Sequence, residues 1–320
     1  MSVGNLSSLV IVTPVYEDVE VASRLFKELS NVFGREIYIV AVDDGSVRQP
    51  LHVSSIVAAN LDGVVIKLKR NVGHQRAIAI GLNYVADHLP QASKVVIMDS
   101  DGEDLPASIK DLVSPLQSSD VDVVVAHRKS RVETLRFRAF YVVYKWFFML
   151  LAGKKISFGN FMALKPNAVN RLVAMQELWI HVASCVLTSK LRMEVCPLDR
   201  GPRYAGQSKM NFVGLALHGF KGLMVFAEDV LVRVGIACAF IAVLSVIGGL
   251  AAIALKILGF ATPGWFSVAL GILVLVFLQT GALTLMTLML TGVVKGGAGA
   301  SVDYNGFIDR VLDAKSDSGL

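Results

Sequence analysis

The chain is 320 residues long, and 54% of its residues are hydrophobic while only 18% are charged. Soluble domains carry roughly one quarter charged residues, so this composition excludes a disordered chain, a collagen-like repeat and a coiled coil. The cysteines Cys185, Cys196 and Cys238 form no Cys-x-x-Cys pair, which excludes a zinc cage and a disulfide framework. The formal net charge of +5 suits an anionic membrane surface, and because no aromatic and basic motif accompanies it, we expect no nucleic-acid partner.

The first part of the chain alternates short β-branched runs with amphipathic stretches. The runs predict strands at 9–13, 37–42, 64–68, 95–98 and 121–126. Between the first two runs, Ala22, Leu25, Phe26 and Leu29 mark the buried stripe of a helix. Strands joined by helical crossovers indicate an α/β fold with a doubly wound, mainly parallel sheet. Such a sheet binds its ligand beyond the carboxyl ends of the strands.

A polar motif follows each of the first four strands. The motifs are Thr13-Pro-Val-Tyr-Glu17, Asp43-Asp-Gly-Ser46, Arg70-Asn-Val-Gly-His-Gln75 and Asp99-Ser-Asp-Gly-Glu-Asp104. The second motif alone is also ordinary turn chemistry, and a solvated acidic loop is the alternative for the fourth. Asp99 and Asp101 are more informative, because two carboxylates at the end of a buried strand repel each other unless a cation lies between them. A hard divalent cation meets that need, and Glu103 is spaced to add a third oxygen.

Two later runs, 234–255 and 265–294, contain no charged residue, and each exceeds the roughly 18 to 20 apolar residues that span a bilayer. Lysine and arginine are retained on the cytoplasmic side of a membrane. They flank the pair of runs at Lys221, Arg233, Lys295 and Arg310. The connector holds only Lys256, and no secretory signal opens the sequence. We therefore expect a transmembrane hairpin with both termini and the large domain in the cytoplasm.

These patterns divide the chain into five segments. They predict a large domain at 1–211, a juxtamembrane amphipathic helix at 212–233, spans at 234–255 and 265–294, and a cytoplasmic tail at 295–320.

Several short segments beside or within the spans also suggest roles. The aromatic-rich run 140–151 and the amphipathic segment 212–233 suit helices lying at the membrane interface, with a buried core helix as the alternative for the first. Residues 301–320 are expected to form a mobile end without chemistry. Gln279, Thr280 and Gly281 are interpreted as helix–helix or oligomer contacts. A homo-oligomer is therefore one expected partner arrangement.

The ordered motifs, together with Arg203-Tyr-Ala-Gly-Gln-Ser-Lys209 before two spans, resemble family 2 glycosyltransferases of the polyisoprenyl-phosphate type. This group includes bactoprenol glucosyltransferases and dolichyl-phosphate mannose synthases. The resemblance implies a GT-A fold with interfacial helices and a two-helix hairpin, in a multi-pass protein of the cell inner (plasma) membrane. It also implies a nucleotide-sugar donor, with a UDP-sugar favoured, a polyisoprenyl phosphate acceptor, and Mg²⁺ or Mn²⁺. Transfer of one sugar would invert the anomeric carbon.

The resemblance also implies roles for individual residues. Donor binding falls to Pro14, Tyr16, Glu17, Asp43, Asp44, Arg70, Asn71, Gly73, His74 and Ser100. Metal binding falls to Asp99, Asp101 and Glu103, and catalysis to Asp99, Asp101, Arg203 and Lys209. The candidates for acceptor or phosphate binding are Arg128, Arg131, Arg200 and Ser208.

Two departures from the resemblance leave alternatives open. Asn160 stands where close relatives tend to have an acid, and Gln176-Glu-Leu-Trp179 lacks the arginine of the processive polysaccharide synthases. One alternative is a hydroxyl acceptor on a glycolipid or glycan, which needs a general base, with Glu177 or Asp104 as candidates. The other is a catalytically silent membrane scaffold, against which the intact Asp99 and Asp101 argue.

Overall fold

The protein is described by a computed structural model at residues 9–118, 120–128, 146, 148–154, 158–204, 212–260, 262, 264–296 and 302–317. Its contacts divide the chain into two compact units. The first comprises Met1–Arg138, Ile156–Val225 and Ser301–Leu320, and the second comprises Ala139–Lys155 and Phe226–Ala300.

The first unit is built on an eight-stranded sheet with the order β7-β5-β6-β4-β1-β2-β3-β8. The strands are β1 Leu9–Val15, β2 Ile37–Asp43, β3 Asp62–Leu68, β4 Lys94–Ile97, β5 Val123–Arg128, β6 Met162–Leu164, β7 Met193–Leu198 and β8 Ile308–Asp313. The central strands β3, β2, β1 and β4 are parallel, whereas β6 and β8 run antiparallel to their neighbours. The predicted strands and the mainly parallel sheet are confirmed.

Helices cover both faces of this sheet. The α-helices include Val19–Phe33, Ser54–Ala58, His74–His88, Ile109–Val113, Pro166–Val173, Val182–Thr188, Phe212–Met224, Ala227–Ile257, Trp265–Gly296 and Ala314–Asp317. Short 3₁₀ turns lie at Pro106–Ser108, Ser114–Gln117, Gln176–Trp179 and Tyr304–Phe307. Alternate side chains of β1 enter two separate cores, Val10 and Val12 on one face and Ile11 and Val15 on the other. This period-two burial is what a doubly wound sheet requires.

The end of the chain corrects one expectation. Residues 301–320 were expected to be a mobile tail, yet β8 pairs antiparallel with β3 from Val64 opposite Asp313 to Leu68 opposite Ile308. The buried Tyr304 belongs to one hydrophobic core and the buried Ala314 to the other. Residues 302–317 therefore include the edge strand of the sheet. The expectation was wrong because the charged residues of this stretch are also typical of a solvated chain end.

The second unit contains two helices, Ala227–Ile257 and Trp265–Gly292, that are long and apolar enough to cross a membrane. The first helix begins before the predicted position 234, so the amphipathic segment 212–233 is divided into Phe212–Met224 and the first turns of this helix. Its buried residues are all small: Gly235, Ala242, Ser245, Gly249 and Ala252. Small residues let helix backbones approach closely.

The contacts of the described residues give no support to helix–helix packing at Gln279, Thr280 and Gly281, and an oligomer contact there stays a prediction. Gln279 is exposed, and the hydroxyl of the half-buried Thr280 donates to the carbonyl of Val276 at 2.7 Å. A Cβ on Gly281 would meet no atom within 4 Å. Close contacts between the two helices include Gly235, whose added Cβ would lie 2.9 Å from Thr287 Oγ1, and Gly248, whose added Cβ would lie 3.3 Å from Leu273 Cδ2.

Candidate active site

The carboxyl ends of the four central parallel strands place the predicted motifs along one edge of the sheet. The loop after β2 packs closely against the loop after β3 at Gly45. Its φ is +71°, and an added Cβ would lie 2.4 Å from the carbonyl carbon of Arg70 and 2.5 Å from the amide nitrogen of Asn71. Only glycine fits a left-handed position this close to another backbone.

Asp43 and Glu17 use their carboxylates to shape the loop after β2. The Asp43 oxygens accept from the amides of Ser46 and Leu51, each at 3.0 Å. Glu17 accepts from the amides of Val47 and Gln49 at 2.8 Å and from that of Arg48 at 3.1 Å. The Val47 and Arg48 amides hold the pKa of Glu17 below its usual range despite opposing desolvation. Both acids predicted as donor ligands thus stabilise the loop itself.

Asp44 ties the loop after β2 to the loop after β3. Its two carboxylate oxygens accept from the amides of Val72 at 2.7 Å and Gly73 at 3.0 Å. Burial raises the pKa of Asp44, although these two amide donors act against the rise. Gly73 has φ +93° and directly precedes the helix His74–His88. The turn at Gly73 therefore directs the start of that helix into the site.

His74 connects this helix to the acidic strand end. Its Nε2 lies 3.2 Å from Asp99 Oδ1 and 3.1 Å from Asn160 Nδ2. Burial acts to lower the pKa of His74, but Asp99, Asp101 and Asp44 together outweigh it and raise the pKa above its usual range. The neutral Asn160 also accepts from Gln75 at 3.3 Å. The residue that departs from the resemblance is thus in contact with the predicted site.

Two arginines face the acidic loop after β4. Arg203 Nη2 lies 2.7 Å from Asp101 Oδ2, and Arg203 Nε donates to Glu103 Oε1 at 3.0 Å. Arg200 pairs through Nη2 with the other Glu103 oxygen. Burial lowers the pKa of Arg200, with Asp101 acting against this shift. Glu103 therefore positions two guanidinium groups at once.

Backbone contacts join the same two loops. Gly201 N donates to Glu103 O and Tyr204 N donates to Asp101 O, both at 3.0 Å. Gly102 has φ +86°, and an added Cβ would lie 2.6 Å from the Tyr204 ring. The Tyr204 hydroxyl in turn donates to Glu28. This packing holds both arginines against the acidic strand end.

The donor set at this strand end fits a hard divalent cation. Asp99 and Asp101 are 27% and 19% exposed, and their oxygens are the ligand type that Mg²⁺ and Mn²⁺ favour. Across the described residues, no three His, Cys, Asp or Glu side chains converge as a ready metal cage. Two carboxylates that leave further positions to phosphate oxygens and water are the usual arrangement for Mg²⁺.

The other predicted residues occupy varied surroundings. Pro14 is buried in β1, Tyr16, Arg70 and Asn71 are exposed, and Ser100 is half-buried. Arg128 ends β5, but its side chain is not among the described features. Arg131, Ser208 and Lys209 lie outside the described residues.

Sequence reasoning assigned no role to Gln75 and proposed one candidate base, Asp104, that the geometry does not favour. Gln75 is buried and accepts from the amide of Val182 at 2.7 Å, and its place in the motif after β3 was the available signal. Asp104, a candidate general base, is only 3% exposed and accepts from the amide of Asp99 at 3.0 Å. Its geometry is that of a loop-stabilising group.

A family model, Glycosyl transferase family 2, matches residues 10–178, which is more than half of the chain. The chain belongs to glycosyl transferase family 2. The matched stretch contains the loops that carry Asp44, His74 and Asp101, and it ends before Arg200 and Arg203. The glycosyltransferase activity class expected from the motifs is therefore confirmed.

Relatives agree with this assignment. An uncharacterized glycosyltransferase of Synechocystis sp., sll0501, is 27% identical over 228 residues, covering 68% of this chain and 69% of that protein. The uncharacterized glycosyltransferase YkoT of Bacillus subtilis (strain 168) is 24% identical over 278 residues, covering 82% of this chain and 81% of that protein.

A solved structure shares the fold of this glycosyltransferase. Glucosyl-3-phosphoglycerate synthase from Mycobacterium tuberculosis, in complex with Mn²⁺ and UDP-glucose, aligns with a TM-score of 0.50 and 14% identity. The alignment covers 71% of this chain and 79% of that one. The expected GT-A type of fold, followed by two long apolar helices, is thereby confirmed.

Proposed function

We propose that this family 2 glycosyltransferase transfers one sugar from a nucleotide diphosphate sugar to a polyisoprenyl phosphate at the cytoplasmic face of the inner (plasma) membrane. The observation that carries the proposal is the contact of Arg203 with the acidic strand end at Asp101, in a chain that also holds two potential membrane spans. Carboxylates attract a cation, and guanidinium groups bind phosphates in a planar fork. The carboxyl ends of the strands thus carry groups suited to binding the phosphates of both the donor and the acceptor.

The donor is expected to be a UDP-sugar. The similar fold of an enzyme crystallised with Mn²⁺ and UDP-glucose supports this choice. Tyr16 follows β1 and is 45% exposed, and an exposed aromatic ring at a strand end suits stacking on a nucleobase. Asp44 binds the Val72 and Gly73 amides. The loop expected to contact the ribose and phosphates of the donor is therefore held in a fixed position.

The reaction is expected to be a single displacement. A lipid phosphate oxygen forms the new bond to the anomeric carbon while the bond to the nucleoside diphosphate breaks, so the configuration inverts. The attacking phosphate is already anionic at neutral pH, and no protein base is needed. Arg203 and Arg200 would neutralise the charge that develops on the departing diphosphate. Asp99 and Asp101 would hold Mg²⁺ or Mn²⁺, which supplies further charge stabilisation there when bound.

Arg128, Arg131 and Ser208 are proposed to bind the acceptor phosphate, which is the role expected for them. Lys209 keeps its expected catalytic role. Glu103, expected as a third metal ligand, is proposed instead to position Arg200 and Arg203, because each of its oxygens contacts one of them.

Membrane attachment would bring the acceptor to the site. In the helix Phe212–Met224, the exposed residues Leu217, Phe220 and Met224 recur at spacings of three and four and so share one face. An exposed apolar helical face that comes shortly before a span in the sequence suits the membrane interface. The partly described run 140–151 shows the same character, with Met149 and Leu150 exposed.

The test uses the purified full-length protein in detergent with Mn²⁺, a polyprenyl phosphate and labelled UDP-, GDP- or dTDP-sugars. We expect label from one donor to enter the organic phase. Asp101→Asn should abolish the transfer, whereas the matched change Asp120→Asn should not, since Asp120 is 87% exposed and precedes β5. Metal-dependent nucleotide binding without transfer from any donor would overturn the lipid phosphate acceptor.

A hydroxyl acceptor is the second candidate, and it requires a base. The structure favours Glu177 over the buried Asp104, because Glu177 is half-buried in the turn Gln176–Trp179. Loss of turnover in Glu177→Gln with intact donor binding would support this candidate. A silent scaffold predicts no metal-dependent nucleotide binding at all.

A further inference from the structure

Strand β8 pairs with β3 next to the start of the loop 69–73, which we call the donor loop. Its pairing with β3 is regular from Val64 to Lys67 and then shifts register between Lys67 and Leu68. The next residue, Lys69, opens the loop 69–73, whose Val72 and Gly73 amides bind Asp44. The end of the chain thus contacts the sheet at the base of this loop.

Lys69 binds the C-terminal segment through both its main chain and its side chain. Its amide donates to the carbonyl of Phe307 at 3.0 Å, and its Nζ donates to the carbonyl of Gly306 at 3.0 Å. These bonds continue the strand pairing beyond the register shift. They fix the first residue of the loop from a segment more than two hundred positions later in the chain.

The same segment also holds the far end of the helix that follows the loop. Tyr304 is 6% exposed, and its hydroxyl donates to Asp87 Oδ2 at 2.7 Å, near the end of the helix His74–His88. The Phe307 ring lies 5.9 Å from the Trp179 ring. Residues 304–307 therefore contact the loop before the helix, the end of the helix and the turn Gln176–Trp179.

We infer that residues 304–313 act as a positioning element for the donor loop 69–73, with Lys69, Tyr304 and Phe307 as its positioning residues. The inference rests on the proposed donor site for its functional meaning, but its structural content is independent of the sugar and of the acceptor. The loop connects β3, which lies next to the edge strand β8, to the helix His74–His88, and Asp44 of the loop after β2 binds two of its amides. Residues 304–307 contact both the start of the loop at Lys69 and the end of the following helix at Asp87. These two contacts restrict the positions of the Val72 and Gly73 amides.

The first experiment measures amide hydrogen exchange in the full-length protein, comparing wild type with Lys69→Met and with the double variant Tyr304→Phe/Phe307→Ala. We expect the Val72 and Gly73 amides to exchange at least about tenfold faster in both variants, because exchange reports local opening. The amides of Ile11 and Val12 in the central strand β1 should keep their wild-type rates. Arg310→Ala is the matched control, since Arg310 lies on β8, is 64% exposed and pairs with Asp309.

A second readout separates this inference from the proposed function. Nucleotide affinity should weaken in both variants while maximal turnover changes little, and combining the variants should give less than the sum of their effects on binding free energy. Wild-type exchange at Val72 and Gly73 in both variants would overturn the inference, and so would acceleration that spreads equally to β1. Absence of sugar transfer to a polyprenyl phosphate would contradict only the proposed function.

Discussion

Arg203 and Asp101 lie 2.7 Å apart, although one follows β7 and the other follows β4. The same guanidinium also donates to Glu103, so its planar fork spans two carboxylates. This contact places a guanidinium group, which is proposed to bind phosphate, beside a candidate metal site. The position of the loop that carries Arg203 therefore depends on the negative charges of Asp101 and Glu103.

The fork of Arg203 leads to the first prediction. Arg203→Lys keeps the positive charge but cannot contact Asp101 and Glu103 in the same geometry. We expect kcat to fall by about ten- to hundredfold, because a displaced cation stabilises the departing diphosphate poorly. Steady-state kinetics with the active donor checks this. Arg35→Lys is the control, since Arg35 is exposed and its guanidinium donates to Asn60, in the first unit but in none of the predicted motifs; equal losses in both variants would contradict the prediction.

Glu103 gives a prediction about metal binding. Both of its oxygens contact arginines, so Glu103→Gln should leave the Arg200 and Arg203 side chains less well ordered. The candidate metal ligands Asp99 and Asp101 should stay in place. We expect the Mn²⁺ affinity, measured by electron paramagnetic resonance, to change by less than about threefold, whereas Asp101→Asn lowers it at least about tenfold. A loss in Glu103→Gln as large as that in Asp101→Asn would instead make Glu103 a metal ligand.

The loop contact at Gly45 predicts a loss of stability. Gly45→Ala would place a Cβ 2.4 Å from the Arg70 carbonyl carbon at a φ of +71°, and two backbones would have to separate. We expect the free energy of unfolding to fall by about 2 to 4 kcal/mol, together with weaker nucleotide binding. Gly34→Ala is the matched control: its φ is +58° but its Cβ would meet nothing within 4 Å, so it carries backbone strain without the clash and should cost less than Gly45→Ala, about 1 to 2 kcal/mol. Denaturant unfolding of both variants compares the two costs, and equal losses would contradict the steric argument.

The sequence predicts the central sheet well, because β1 to β5 are continuous apolar runs whose local pattern is sufficient. It does not predict β6, which has only three residues, or β8, in which Asp309 and Arg310 interrupt the apolar pattern. The partner of β8 is β3, near the other end of the chain. No local pattern records such a distant pairing.

The candidate site shows the same division between local and distant information. The motifs after the strands place Asp44, His74, Asp99 and Asp101 at one edge, because parallel strands share a common carboxyl end. The sequence does not reveal that Asp43 and Glu17 bind loop amides, since this depends on how the chain turns after β2. The contacts of Glu103 with two arginines likewise depend on the packing of Tyr204 over Gly102.

The apolar hairpin supports a last prediction. A Cβ on Gly235 would lie 2.9 Å from Thr287 Oγ1, whereas a Cβ on Gly281 would have no atom within 4 Å. Gly235→Leu should therefore destabilise the pair of helices by about 1 to 3 kcal/mol through overpacking, and Gly281→Leu should not. Both substitutions add the same apolar side chain to the apolar region, so hydropathy is matched. Unfolding of each variant in detergent, followed by far-ultraviolet circular dichroism, provides the comparison. Equal destabilisation would contradict the assigned helix contact, while a changed oligomeric state in Gly281→Leu alone would support the expected oligomer contact at that position.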